Sequence, residues 1–229
     1  MAGTPARSPY FTEETFRFLK ELAENNDRLW FAENKERYEA VVKEPALRLI
    51  QDFTPHLKKL SPHFRATPRS LFRIYRDVRF SRDKSPFKTH TGIQFRHDRG
   101  RDVHAPGYYF HLEPGQVFVA LGLWHPDSKT LRAIRERMVE SSPAWKRASR
   151  GKRFTEVFEL EGDRLKRVPR GFDPEHPLVE DLKWKDFIGT ASLSESAVTS
   201  PGLPEELARI WTAGTPFMKY LCEAVDVPF

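Results

Sequence analysis

"GYYFHLEPGQVFVALGLWHP", residues 107–126, decides how this chain folds. Two runs of alternating residues flank Glu113-Pro114-Gly115-Gln116. Proline followed by glycine is turn chemistry, because proline presets φ at about −65° and glycine accepts a positive φ. Before the turn, a period of two puts Tyr108, Phe110 and Leu112 on one face and Tyr109, His111 and Glu113 on the other. After it, Val117, Val119, Leu121 and Leu123 share a face. The stretch therefore predicts an antiparallel hairpin with one apolar face and one face carrying chemistry.

The same period extends to both sides. Upstream, "TGIQFRH" (91–97) pairs Ile93 with Phe95, and "SLFRIYRDVRF" (70–80) alternates Phe72, Ile74, Val78 and Phe80. Both predict strands. Downstream, "RFTEVFELEGDRLKRVP" (153–169) reads as a second hairpin turning at Gly162, and "DFIGTASL" (186–193) as a late strand.

Helical periodicity brackets this region. Thr12 is placed to cap a helix with Phe16, Leu19 and Leu22 inward. "DRLWFAENKERYEAVV" (27–42) reads as a second helix and Pro45 opens a third, in which Pro55 predicts a kink or a break. After the hairpin, Asp127 or Ser128 can cap a helix with Leu131, Ile134 and Met138 inward, and Ser142-Pro143 starts another that Gly151 ends. "HPLVEDLKW" (176–184) reads as helical, and a last helix carries Leu207, Ile210, Trp211, Met218 and Leu221. The expected architecture is α+β in one domain over residues 1–229. It has N-terminal helices over 12–60, a central, mainly antiparallel sheet with hairpins over 69–125, and a mixed part over 127–229 ending in C-terminal helices.

Composition agrees with a packed interior: 39% of the residues are apolar, with 18 Phe and 5 Trp. No apolar run approaches the roughly 18 residues of a membrane span, and the first residues lack the apolar core of a secretory signal. The one cysteine, Cys222, excludes an intrachain disulfide and lies on an apolar helix as a small core residue. A cytoplasmic location is the expectation.

The net charge is +6, and residues 69–102 account for all of it, with ten Arg or Lys against four Asp. Its centre is "RIYRDVRFSRDKSPFKTH" (73–90), where cations interleave with Ile74, Tyr75, Val78, Phe80 and Phe87. On a regular strand Arg76 would share the apolar face, which requires a carboxylate partner or a bound anion. Glu113 or Asp186 could be that partner. Ser85 and Pro86 predict a loop from which Lys84, Lys88 and His90 project. Arginine's planar fork suits phosphate and carboxylate. The candidate anion-binding set is therefore Arg73, Arg76, Arg79, Lys84 and Lys88, with Asp77 and Asp186 as supporting carboxylates. His111 and Glu113, two apart on one strand face, are the candidate catalytic acid–base pair.

Other chemistry is weakly signalled. His111, Glu113 and His125 with His90 or His104 make a metal-ligand set only on paper, since no HExxH or CxxC spacing occurs. The sequence assigns no metal and names no cofactor. It lacks a Walker A loop, a GxGxxG turn and a GxSxG elbow.

The order of "NNDRLWFAENKERYEA", "RIYRDVRFSRDKSPFKTH", "YYFHLEPG", "GLWHP" and "LKWKDF" resembles the domain-of-unknown-function family 2461 over nearly the whole chain. Arg73, Arg76, Asp77, Arg79, Phe80 and Lys84 fall where that family's motif has them, and Phe87 stands where members commonly carry tyrosine. The resemblance implies one domain with a distinctive basic motif and brings no established activity.

Three function classes fit these residues. The leading one is binding of, or catalysis on, a small phosphate- or carboxylate-bearing ligand in an arginine-lined pocket. A second is single-stranded nucleic-acid binding, with Tyr75, Tyr109 and Trp124 as stacking surfaces. The third is a structural or interaction module whose arginines are paired internally. The first predicts converging cations in a concavity, and the second predicts cations spread over an open face. No membrane partner is expected, and the sequence does not specify an oligomeric state.

Overall fold

The computed structural model describes residues 8–99 and 105–229. Arg101, Asp102 and His104 lie outside the described residues.

The N-terminal part is helical, as expected. Thr12 precedes α1 (Glu13–Glu24), and its N–H donates to Thr15 Oγ1 at 3.1 Å. Asp27 caps α2 (Arg28–Glu33), accepting from the N–H groups of Leu29 and Trp30 at 2.8 and 2.9 Å. The expected second helix is interrupted. Asn34 separates α2 from α3 (Lys35–Tyr38), and a π-helical turn over Glu39–Lys43 leads into α4 (Glu44–Leu60). The helix α4 continues through Pro55, so the proline does not break it. Its buried stripe of Leu49, Ile50, Phe53 and Leu57 is anchored on both sides of the proline, which outweighs the one missing N–H.

The sheet has six strands: β1 (Phe64–Arg65), β2 (Thr91–His97), β3 (Gly107–Glu113), β4 (Gln116–Leu123), β5 (Glu159–Glu161) and β6 (Phe187–Ser192). Their order is β1-β2-β3-β4-β6-β5, and every neighbouring pair is antiparallel. The hairpin β3–β4 closes with Glu113 opposite Gln116, and Gly115 takes φ 76° in the turn.

Two sequence readings of strands are corrected. Residues 153–169 do not form a hairpin. The helix α7 (Lys152–Thr155) takes their start, and β5 pairs with β6 instead, Glu159 opposite Thr190. The chain beyond Gly162 then pairs with residues 183–185, with Lys185 N–H bonded to Asp163 O at 2.8 Å and Leu165 N–H to Lys183 O at 2.8 Å. Residues 70–80 form no strand either, only isolated bridges from Leu71 to Ile93 and from Tyr75 to Phe87 and the start of a loop.

The remaining helices are α5 (Ser128–Glu140), capped by Asp127, α6 (Ser142–Arg150), α8 (Val179–Leu182), α9 (Glu195–Val198), α10 (Leu203–Ala213) and α11 (Thr215–Ala224). The expected last helix is thus two, parted at Gly214. Helices pack on the sheet face that carries Tyr108, Phe110 and Leu112. Phe110 meets Phe11, Phe95 meets Phe53 at 5.1 Å between ring centres, and Tyr108 meets Trp211 at 5.3 Å. Cys222 is buried in this core. Among the described residues no helix is long and apolar enough to cross a membrane. The opposite sheet face carries Tyr109, His111 and Glu113, and the end of the basic stretch reaches it, with Thr89 bonded to Glu113 and the His90 ring beside His111.

Candidate functional site: a basic loop beside a histidine-bearing sheet face

The basic stretch is a two-legged loop. Its legs form a short ladder in which Arg76 N–H donates to Pro86 O at 2.9 Å and Lys88 N–H to Ile74 O at 2.7 Å, with Tyr75 opposite Phe87. Ile74 and Phe87 point inward, and Phe87 stacks on Phe31 of α2 at 4.1 Å. The Asn26 amide grips the backbone of Phe87, with Nδ2 donating to its carbonyl at 3.0 Å and Oδ1 accepting from its N–H at 3.1 Å. This explains the mixture of core-type and charged residues: a few rings anchor a loop whose cations stay near the surface. Phe80 does not join them and is 96% exposed. Beyond Arg76 the ladder ends, so alternation no longer fixes a face.

The predicted partners of Arg76 are likewise corrected. Arg76 pairs with neither Glu113 nor Asp186. It is ion-paired with Asp83 across the loop and donates to Ser85 O at 3.3 Å. Arg79 pairs with Asp77 at 2.7 Å in an exposed contact. The ammonium of Lys84 donates to Val78 O at 2.9 Å, and that of Lys88 donates to Arg73 O. Arg73 makes no ion pair among the described residues. The Arg79 guanidinium holds the Asp77 carboxyl down at about 2. Hydrogen bonds from Ser85, with Arg76 behind them, do the same to Asp83, also about 2.

Asp186 serves a different part of the molecule. It is buried, accepts from the N–H groups of His125 and Asp163 at 2.7 and 3.0 Å, and faces His125 Nδ1 at 3.0 Å. It ties the exit of β4 to the turn after β5 and meets none of the arginines.

Two adjoining cavities flank the loop. The larger, about 730 Å³, opens between α2 and the loop. Arg28, Lys35, Arg76 and Lys84 line it above a floor of Phe31, Tyr75 and Phe87, with Asp27 as the one acidic group. The second, about 430 Å³, shares Asn26, Arg76 and Phe87 and continues past Lys88 and Thr89 to His90. Arg76, Lys84 and Lys88 thus line cavities, whereas Arg73 and Arg79 line neither. Sequence reasoning missed Arg28 and Lys35, neither of which has an ion-pair partner among the described residues. Arg28 opens α2 and Lys35 opens α3, and the joint at Asn34 that brings both to one cleft has no periodic signal in the sequence.

Beside the second cavity stands a polar cluster. His111 is 8% exposed, between the rings of His90 and Phe118, each 4.6 Å away. Its Nδ1 lies 3.0 Å from the Tyr109 hydroxyl and its Nε2 lies 3.3 Å from Glu113 Oε2. The other Glu113 oxygen accepts from Thr89 Oγ1 at 2.7 Å. Gly92, opposite His111, gives the tyrosine room, because a Cβ there would stand 2.7 Å from its hydroxyl. Burial lowers the affinity of both imidazoles for a proton, and for His90 the neighbouring His111 adds to the effect. Burial also pushes the Tyr109 hydroxyl up to about 12. A neutral imidazole between a phenol and a carboxylate can relay a proton. His111 and Glu113 are therefore brought together as predicted, and Thr89 and His90 connect them to the cavity wall.

The model of the family described as "Conserved hypothetical protein (DUF2461)" matches residues 14–220. The chain belongs to that family. The match takes in Asn26, the basic loop, the Tyr109–His111–Glu113 row and both cavities. The family description names no activity. No curated protein and no solved structure matches the chain.

Proposed function

We propose that the cleft between α2 and the basic loop binds a small anionic ligand bearing phosphate or carboxylate. The observation that carries this reading is the convergence of Arg28, Lys35, Arg76 and Lys84 on one concavity, with Arg28 and Lys35 lacking an ion-pair partner among the described residues. Cations that converge on one concavity add their potentials and attract an anion more strongly than the same charges spread over an open surface. The aromatic floor would accept a flat apolar portion of the ligand. If the ligand is transformed, His111 and Glu113 are the groups placed to move a proton. An open-faced nucleic-acid surface is a poorer fit to this concavity. The pairs Arg76–Asp83 and Arg79–Asp77 favour a second reading, in which those two arginines stiffen the loop and the loop itself is the function.

A thermal-shift panel of phosphates, nucleotides, carboxylates and short oligonucleotides separates these readings. A ligand at roughly 100 times its Kd adds about 2.7 kcal/mol, or roughly 5–10 °C in Tm for a chain of this size. A small anion should raise Tm in the wild type and in Arg79→Ala. It should lose most of that effect in Arg28→Ala/Lys35→Ala, whose exposed side chains cost little stability on replacement. No shift with any small anion, or one that survives the double replacement, rules the cleft out. A response confined to oligonucleotides that fades steeply with salt would favour nucleic acid.

A further inference from the structure

We propose that His90, His111 and Glu113 form a binding site for a divalent transition-metal ion of the zinc class. Sequence spacing could not announce it, because His90 arrives from the loop while the other two share one face of β3. Their candidate ligand atoms all lie within 4.8 Å of one another. The distance from His111 Nε2 to Glu113 Oε2 is 3.3 Å, long for an imidazole–carboxylate hydrogen bond. It matches the roughly 3.3 Å that separates two donors each about 2.0–2.1 Å from a tetrahedral zinc ion.

The surroundings are those of ligands already held in position. His111 has the Tyr109 hydroxyl 3.0 Å from its second nitrogen, and Glu113 has Thr89 on its second oxygen at 2.7 Å. Such outer partners set the tautomer and aim of metal ligands. His90 makes no hydrogen bond among the described residues, which leaves a ring nitrogen for the ion. Two imidazoles and a carboxylate suit zinc, cobalt, iron or manganese better than calcium or magnesium. Three protein ligands leave a coordination position open, as catalytic rather than structural zinc sites do. His90 lines the 430 Å³ cavity, so water or an anionic oxygen can reach the ion from there, with Lys88 on the same wall.

A second cluster, His63, His97 and Asp98, has similar composition and spacing, but its buried imidazole is held by partners outside the cluster. Both ring nitrogens of His97 are committed, Nδ1 accepting from Arg99 N–H at 3.1 Å and Nε2 meeting Pro228 O at 2.8 Å. The contrast gives an internal control.

The test is titration of the chelator-stripped full chain with Co²⁺, read by its visible d–d absorption, followed by displacement with Zn²⁺. A single equivalent of Co²⁺ should bind and be displaced by Zn²⁺. His90→Ala and Glu113→Gln, both at partly exposed positions, should each weaken Co²⁺ binding by 10-fold to 100-fold or more. Tyr109→Phe should weaken it by roughly 10-fold with unchanged stoichiometry. His63→Ala should leave it as it is. Absence of a saturable Co²⁺ spectrum overturns the proposal. So does one that survives His90→Ala and Glu113→Gln, or one that His63→Ala removes. The ion site does not depend on the anion cleft: failure of the anion panel leaves the Co²⁺ titration intact, and the reverse holds.

Discussion

Asn26 holds the backbone of Phe87 across 61 residues of sequence. Asn26→Ala would strand a part-buried N–H and carbonyl, at a cost of about 1–3 kcal/mol. Its signature is faster hydrogen exchange at the Phe87 amide; an unchanged exchange rate would show that the ring stack alone seats the loop. Asp77 and Asp83 give a second test at this scale. Their folded values of about 2 lie below the ordinary 3.8, so their stabilising contribution is complete above pH 3.8 and is lost as pH falls through about 2. An NMR titration of the two carboxyl carbons should give midpoints near 2, whereas midpoints near 3.8 would mean that the loop ion pairs do not form in solution. Single residues were unevenly legible. His111 and Glu113 share a face as read because β3 keeps its period in the sheet, and Phe80 was misplaced because its alternating segment leaves the ladder after Arg76. Arg28 and Lys35 were passed over because they sit on two short helices whose joint at Asn34 no local pattern announces.

At the level of elements, the β3–β4 hairpin, β2, β6 and most helices could be read from periodicity and caps. What escaped was pairing chosen at long range. The chain after Gly162 meets residues 183–185 rather than folding back on itself, and no local pattern distinguishes those outcomes. Pro55 misled for a related reason: propensity argues for a break, and burial along α4 overrides it. The contact between β2 and β3 supplies a prediction of its own. Gly92→Ala should leave the chain folded at a cost of about 1–3 kcal/mol, because the added Cβ would stand 2.7 Å from the Tyr109 hydroxyl and 3.1 Å from the Tyr109 and Phe72 rings. It should nonetheless push the Tyr109 hydroxyl off His111, visible as a shift of the His111 imidazole nitrogen resonances. Unchanged resonances would mean that the ring and the methyl group fit together without loss of the contact.

Over the whole molecule, the sheet divides two kinds of work. One face is filled by helices and supplies the core. The other carries the Tyr109–His111–Glu113 row, which Thr89 and His90 at the end of the basic loop reach, so the excess charge sits beside the candidate chemistry rather than around the whole surface. That division was readable in outline from the alternation of β3 and from the location of the +6. The concavity was not, because it arises where α2 and the loop meet. The outermost strands of the sheet, β1 and β5, have two and three residues. A rim so short offers a neighbouring molecule few free backbone groups to extend, so the sheet gives little template for strand-by-strand growth into fibrils, even in a chain this rich in phenylalanine.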